Sequence, residues 1–137
     1  MRLWAALLAL FVSTPAWADC PLDLGHGTGV VFYSDQYMIA MRPEPFRIEV
    51  GQPFMLIMNV CTKAGDAAEL VRVDATMPEH KHGMNYAPTI RALGDGRYRV
   101  DGLLFHMPGN WEVAVDVRPA DKPGAETSRL TYDFVLK

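Results

Sequence analysis

Beyond residue 36 the apolar positions of this chain recur with a period of two. Tyr37, Ile39 and Met41 alternate with their neighbours, as do Phe46, Ile48 and Val50. Val71, Val73 and Ala75 point one way with Arg72 and Asp74 between them, and Tyr98 and Val100 sit among Arg97, Arg99 and Asp101. Trp111, Val113, Val115 and Val117 alternate with Glu112 and Asp116, and Leu130, Tyr132, Phe134 and Leu136 close the chain. Successive side chains of a strand point to opposite faces, so this spacing predicts strands with one buried face. Residues 54–60 are apolar almost throughout and follow Gly51-Gln52-Pro53, which reads as a more fully buried strand. Turn chemistry separates these runs at Pro43-Glu44-Pro45, Gly94-Asp95-Gly96, Pro108-Gly109-Asn110 and the loose stretch 119–128. About seven short strands and no long helical pattern predict an all-β fold, an immunoglobulin-like antiparallel β-sandwich. Trp111, Tyr98, Met55 and Met58 are assigned to its packing, while Met38 falls on the face opposite Tyr37 and Met41.

The first residues break this pattern. Arg2 supplies a positive start, residues 3–12 are an apolar run, and Ala16-Trp17-Ala18 puts small residues where a signal peptidase cuts. The expectation is a cleaved signal at 1–18 followed by a single domain at 19–137, periplasmic or otherwise exported. The apolar run is short of the about 20 residues a transmembrane helix needs, so no stable membrane insertion is expected after cleavage. Asp19 before Cys20 argues against lipid attachment, which favours a small residue there. The chain carries 13 basic and 16 acidic residues, and residues 1–18 hold only Arg2, leaving 12 against 16, a net charge of −4. With that balance the sequence shows no sign of the basic face that binding nucleic acid or an anionic membrane requires.

Cys20 and Cys61 are the two cysteines. In an exported protein they pair by default, and closing the intervening loop is worth about 3–4 kcal/mol in the chain-entropy model. Neither lies in a Cys-x-x-Cys, so a redox or thiolate-ligand role ranks below the structural bridge. A bridge also removes both thiolates from any list of metal ligands.

The candidate chemistry lies in Met77-Pro78-Glu79-His80-Lys81-His82-Gly83-Met84, which holds two of the four histidines and two thioethers. Imidazole is the commonest metal ligand, and thioether sulfur favours monovalent copper over calcium, magnesium or zinc. In an extended chain His80, His82 and Met84 project to one side; in a helical turn His80 and Met84 align. The competing reading is a polar, solvated loop between strands. If the strand holding Val71, Val73 and Ala75 runs on, Met77 points inward and Pro78 turns the chain out of the sheet, so the histidines begin where the sheet ends. A second pair, His106-Met107, precedes the Pro108-Gly109 turn. Should the two strand ends share a pole, the shell is Met77, His80, His82, Met84, His106 and Met107. Taken alone, His106 is better explained as a half-buried histidine bonded to a neighbouring carbonyl.

The order of Phe46, Val50-Gly51-Gln52-Pro53-Phe54, the Met77–Met84 segment, Gly96-Arg97-Tyr98 and Leu104-Phe105-His106-Met107-Pro108-Gly109-Asn110-Trp111-Glu112 resembles the YtkA-like domain family, over most of residues 19–137. That resemblance, extending to the FixH-type proteins of cytochrome oxidase assembly, implies an exported or membrane-anchored β-sandwich in a copper-handling context. FixH-type proteins keep an N-terminal membrane anchor, where this chain has a cleavable signal; a direct place in an oxidase assembly complex does not follow.

No Gly-x-Ser-x-Gly elbow, His-Glu-x-x-His or phosphate-cradling glycine loop is present, and Glu79 beside His80 is the nearest thing to an acid–base pair. A blue-copper centre needs a cysteine thiolate with two histidines, and the sulfurs here are thioethers. The sequence therefore points to a non-enzymatic periplasmic protein that carries or buffers copper, Cu(I) favoured. The alternative is a non-metal interaction module that docks an envelope protein partner through the same loop.

Overall fold

Alternation becomes pairing in the computed structural model, which describes residue 24 and residues 29–137. Among the described residues the strands are β1 (Val30–Tyr33), β2 (Tyr37–Glu44), β3 (Pro53–Thr62), β4 (Ala68–Met77), β5 (His82–Gly83), β6 (Thr89–Gly94), β7 (Arg97–Leu104), β8 (Gly109–Pro119) and β9 (Ser128–Leu136). They form two antiparallel sheets, β1-β2-β3-β7-β6 and β5-β4-β8-β9, and no helix accompanies them among the described residues. The all-β sandwich expected from the sequence is the fold observed. The proposed cleavage site and Cys20 lie outside the described residues.

Nine strands replace the expected seven, for local reasons. β6 is a sheet edge with mostly exposed side chains, so no apolar alternation marks it. β5 is only two residues long. Residues 46–50, which alternate like a strand, are a loop: Phe46 is 65% exposed and Val50 38%, while Ile48 packs against the core. Pro45, without an amide N–H, ends the pairing just before them. β2 runs on through the expected turn, with Pro43 opposite Leu56 and Glu44 opposite Met55. In β4 the register against β8 shifts between Leu70 and Arg72. Val71 is thus the extra residue of a bulge and faces solvent, whereas Val73 and Ala75 keep their inward positions. Met58 is buried as expected, but Met55 is half-buried on the outward face of its sheet.

The two inward faces close over Ile39, Met41, Leu56, Met58, Val100, Trp111, Val113 and Val115, all fully buried. At one end this core turns aromatic. Phe105 stacks on Trp111 with centroids 4.6 Å apart and planes at 6°, and meets Phe54 edge-on at 4.8 Å. Such pairs add about 0.5–1.5 kcal/mol each beyond the area they bury.

Pairing direction decides what gathers at that end. β4 runs antiparallel to β8 with Thr76 opposite Glu112, so the last residues of β4 lie beside the first of β8. β9 finishes there too, with Leu136 opposite Gly109, and β7 finishes opposite the start of β3. The outward face of the four-stranded sheet is laced by cross-strand ion pairs. Arg118 reaches Glu69 at 2.6 Å and Arg129 reaches Asp116 at 2.7 Å, each through two hydrogen bonds.

Candidate metal centre

The His/Met segment folds as a hairpin, neither the extended run nor the helical turn weighed from sequence. The Met77 carbonyl accepts a hydrogen bond from the His80 amide at 3.1 Å, closing a β-turn with Pro78 in the position that suits its fixed φ. Lys81 then takes a left-handed φ of 55°, which returns the chain as β5 with His82 opposite Met77. The Met84 amide donates to the Ala75 carbonyl at 3.2 Å and extends the pairing by one residue. Residues opposite one another on paired strands share a face. Since Ala75 and Met77 point into the sandwich, His82 and Met84 do as well; both are half-buried, and His80 at the turn is exposed.

His106 arrives from the other sheet. It lies in the connection from β7 to β8, between the buried Phe105 and the half-buried Met107. Its ring centroid is 5.2 Å from that of His82, which is in turn 5.7 Å from that of His80. The three imidazoles are thus joined by successive ring contacts through His82, His80 being exposed and His82 and His106 half-buried. A metal about 2.0–2.1 Å from each imidazole nitrogen holds two ligand rings about 5–6 Å apart, centroid to centroid. Among the described residues no three His, Cys, Asp or Glu side chains are placed to hold a metal ion between them. The remaining soft donors at this pole are the thioethers of Met84 and Met107, both packed at the margin of the core.

Two nitrogens are informative. His82 Nδ1 lies 3.3 Å from the Gly83 carbonyl oxygen. A carbonyl only accepts, so this contact is made with the proton on Nδ1, leaving Nε2 of the neutral ring as the lone-pair nitrogen. His106 Nδ1 is buried with no hydrogen-bond partner, unlike the carbonyl-bonded histidine offered as the simpler sequence reading. An unmatched buried polar atom costs about 1–3 kcal/mol. A ligand at this pole would remove that cost.

Met77 is the outlier of the six. It is fully buried, and its methyl carbon would lie 2.7 Å from a Cβ placed on Gly109, so it forms the floor beneath the start of β8. Gly109, at φ 124°, is the residue that makes room. Sequence reasoning gave Trp111 to packing alone. It is a core residue, but its ring also meets His106 at 5.3 Å and His82 at 5.9 Å, both edge-to-face, and its indole N–H donates to the Met107 carbonyl at 3.0 Å. The four-residue spacing between Met107 and Trp111 was visible in the sequence but meant nothing until the chain reversed at Gly109.

Fold and pole together define the class: a small immunoglobulin-like sandwich with imidazoles and thioethers gathered at one end. The YtkA-like family model matches residues 36–116, a span that includes all six candidate residues, and the chain belongs to that family. No curated protein matches the chain. Among solved structures it is similar to FetP of uropathogenic Escherichia coli, as isolated after recombinant expression in the periplasm, with a TM-score of 0.51 at 12% identity over 78% of this chain and 92% of that one. A copper-bound variant of the same FetP gives 0.51 at 11% identity over 79% and 94%. At such identities the likeness concerns the fold.

Proposed function

We propose that this protein works in the periplasm or an equivalent exported space, where it carries or buffers copper as cargo, Cu(I) in preference, at the pole formed by the β4–β5 hairpin and the β7–β8 connection. The observation that carries the reading is His106: its buried Nδ1 has no partner while its ring stands 5.2 Å from that of His82. In this reading His82 and His106 are the first nitrogen donors, and His80 joins them when the hairpin turn closes on the ion, since no three such side chains are grouped for a metal among the described residues. Met84 and Met107 are the thioether donors that favour monovalent copper, with Met77 beneath them. The fold likeness to a FetP variant that binds copper adds support. No acid–base or nucleophilic machinery enters the proposal.

Competition against a Cu(I) chelator tests it. The parent should compete, Zn(II) should bind more weakly than Cu(I), and the His80→Ala, His82→Ala double variant should lose most binding. Met84→Ala or Met107→Ala should weaken Cu(I) and leave Zn(II) nearly unchanged. Acid should also weaken binding, because protons compete with the metal for imidazole and not for thioether. A double-histidine variant that competes as well as the parent would sink the idea.

A second reading has one observation behind it. Phe46 and Val50, with Val135 at 73% exposure, line an open depression of about 580 Å³ near the same pole. If copper does not bind, that apolar surface makes this end of the sandwich a protein-docking module.

A further inference from the structure

We propose that Trp111 is the positioning residue of the pole, holding the His106-Met107 connection of one sheet against His82 of the other; its bearing on metal affinity rests on the copper reading above. A buried tryptophan needs an acceptor for its indole N–H. Here the acceptor is the Met107 carbonyl at 3.0 Å, so the bond that satisfies the core residue also fixes the backbone of a candidate ligand. The same ring stacks on Phe105, the neighbour of His106, at 4.6 Å. Its contacts with His106 at 5.3 Å and with His82 at 5.9 Å complete the set. One fully buried side chain thus touches three consecutive residues of the β7–β8 connection and the first residue of β5. Without the indole bond, Phe105 still anchors the connection and Met107 still packs at the margin of the core, but the hydrogen bond that fixes the Met107 backbone is lost.

Trp111→Phe is the informative variant, because it keeps a ring to stack on Phe105 while deleting the N–H together with the pyrrole part of the indole; the stability cost of the small cavity this leaves is controlled by Phe105→Leu. It should fold cooperatively and bind Cu(I) about tenfold or more weakly, the size of effect seen when a group orienting a metal ligand is removed. Phe105→Leu, which removes the stack but spares the indole bond, should lower the unfolding midpoint more than it lowers Cu(I) affinity. In the parent, the Trp111 indole 1H–15N resonance should be protected from solvent exchange and should move when Cu(I) is added. Affinity in Trp111→Phe within about twofold of the parent, or an indole resonance that exchanges at the solvent rate, overturns the assignment.

If the parent binds no Cu(I), the copper reading fails on its own and positioning is read in the metal-free protein. The through-space contact between the His82 and His106 rings, read as an NOE between their imidazole protons, should then weaken in Trp111→Phe; an NOE of unchanged strength overturns it. Should Trp111→Phe not fold, exchange at the parent's indole decides in the same way.

Discussion

At the scale of single residues, charge and backbone make separable demands. Two hydrogen bonds from the Arg129 guanidinium hold the Asp116 carboxyl below its ordinary range, against the opposing effect of burial. A carboxylate with a depressed folded-state pKa stabilises the fold above its unfolded value, about 3.9, and that contribution is lost as pH falls through the folded value. Asp116→Asn should therefore cost about 1 kcal/mol at neutral pH. Its urea midpoint should also fall less steeply on acidification below about pH 5 than the parent's. Gly109 tests the backbone instead. A side chain there meets both the left-handed φ of 124° and the Met77 methyl at 2.7 Å. Gly109→Ala should destabilise by about 1–3 kcal/mol and disturb Met77 first, visible in its methyl resonance.

At the scale of elements, the hairpin that carries His80 and His82 is the least supported part of the sandwich. β5 is two residues long and pairs on one side only, with β4. Local opening of so short an edge needs far less free energy than global unfolding. The amides of His80 and Met84 should exchange with solvent well before those of Val113 and Val115 in β8, and Cu(I) should slow the former selectively. Equal protection across the two sets would contradict this. Much of the frame was legible beforehand, because β2, β4, β7, β8 and β9 alternate in sequence while β3 shows as a nearly continuous apolar run. Residues 46–50 alternate as well, but an apolar period of two is necessary for a strand and does not make one where a proline has just ended the pairing. The bulge at Val71 was hidden for a related reason: one inserted residue keeps the composition of a strand while shifting its phase, so that Ala68 and Leu70 face inward before it and Val73 and Ala75 after it. Pro78 announced where the hairpin turns. That His106 meets His82 was not legible, since it depends on β4 and β8 pairing across some forty residues of chain.

At the scale of the molecule, the proposed bridge and the core set how firmly the sandwich is held. Ala40 and Cys61 are fully buried yet belong to the outward positions of β2 and β3, one residue out of phase with Ile39 and Val60. Cys61, the described half of the proposed Cys20–Cys61 bridge, lies on that side. The exported protein should begin at Asp19 and show no alkylatable thiol until reduced, which intact mass under non-reducing conditions reads directly. Deleting the aromatic anchor, Trp111→Ala, should cost about 3–5 kcal/mol, measured by denaturant titration. An undiminished midpoint would contradict the burial of that ring. The succession of imidazole contacts has a different kind of consequence, for His82 belongs to one layer and His106 to the strap arriving from the other. A cargo ion gripped by both becomes a rivet between the layers, and the loaded protein should melt higher by an amount that grows with free copper. If copper is the cargo, anything that prises β5 from β4 would loosen the grip at one jaw, and release would need no unfolding of the body, only the lifting of the shortest strand.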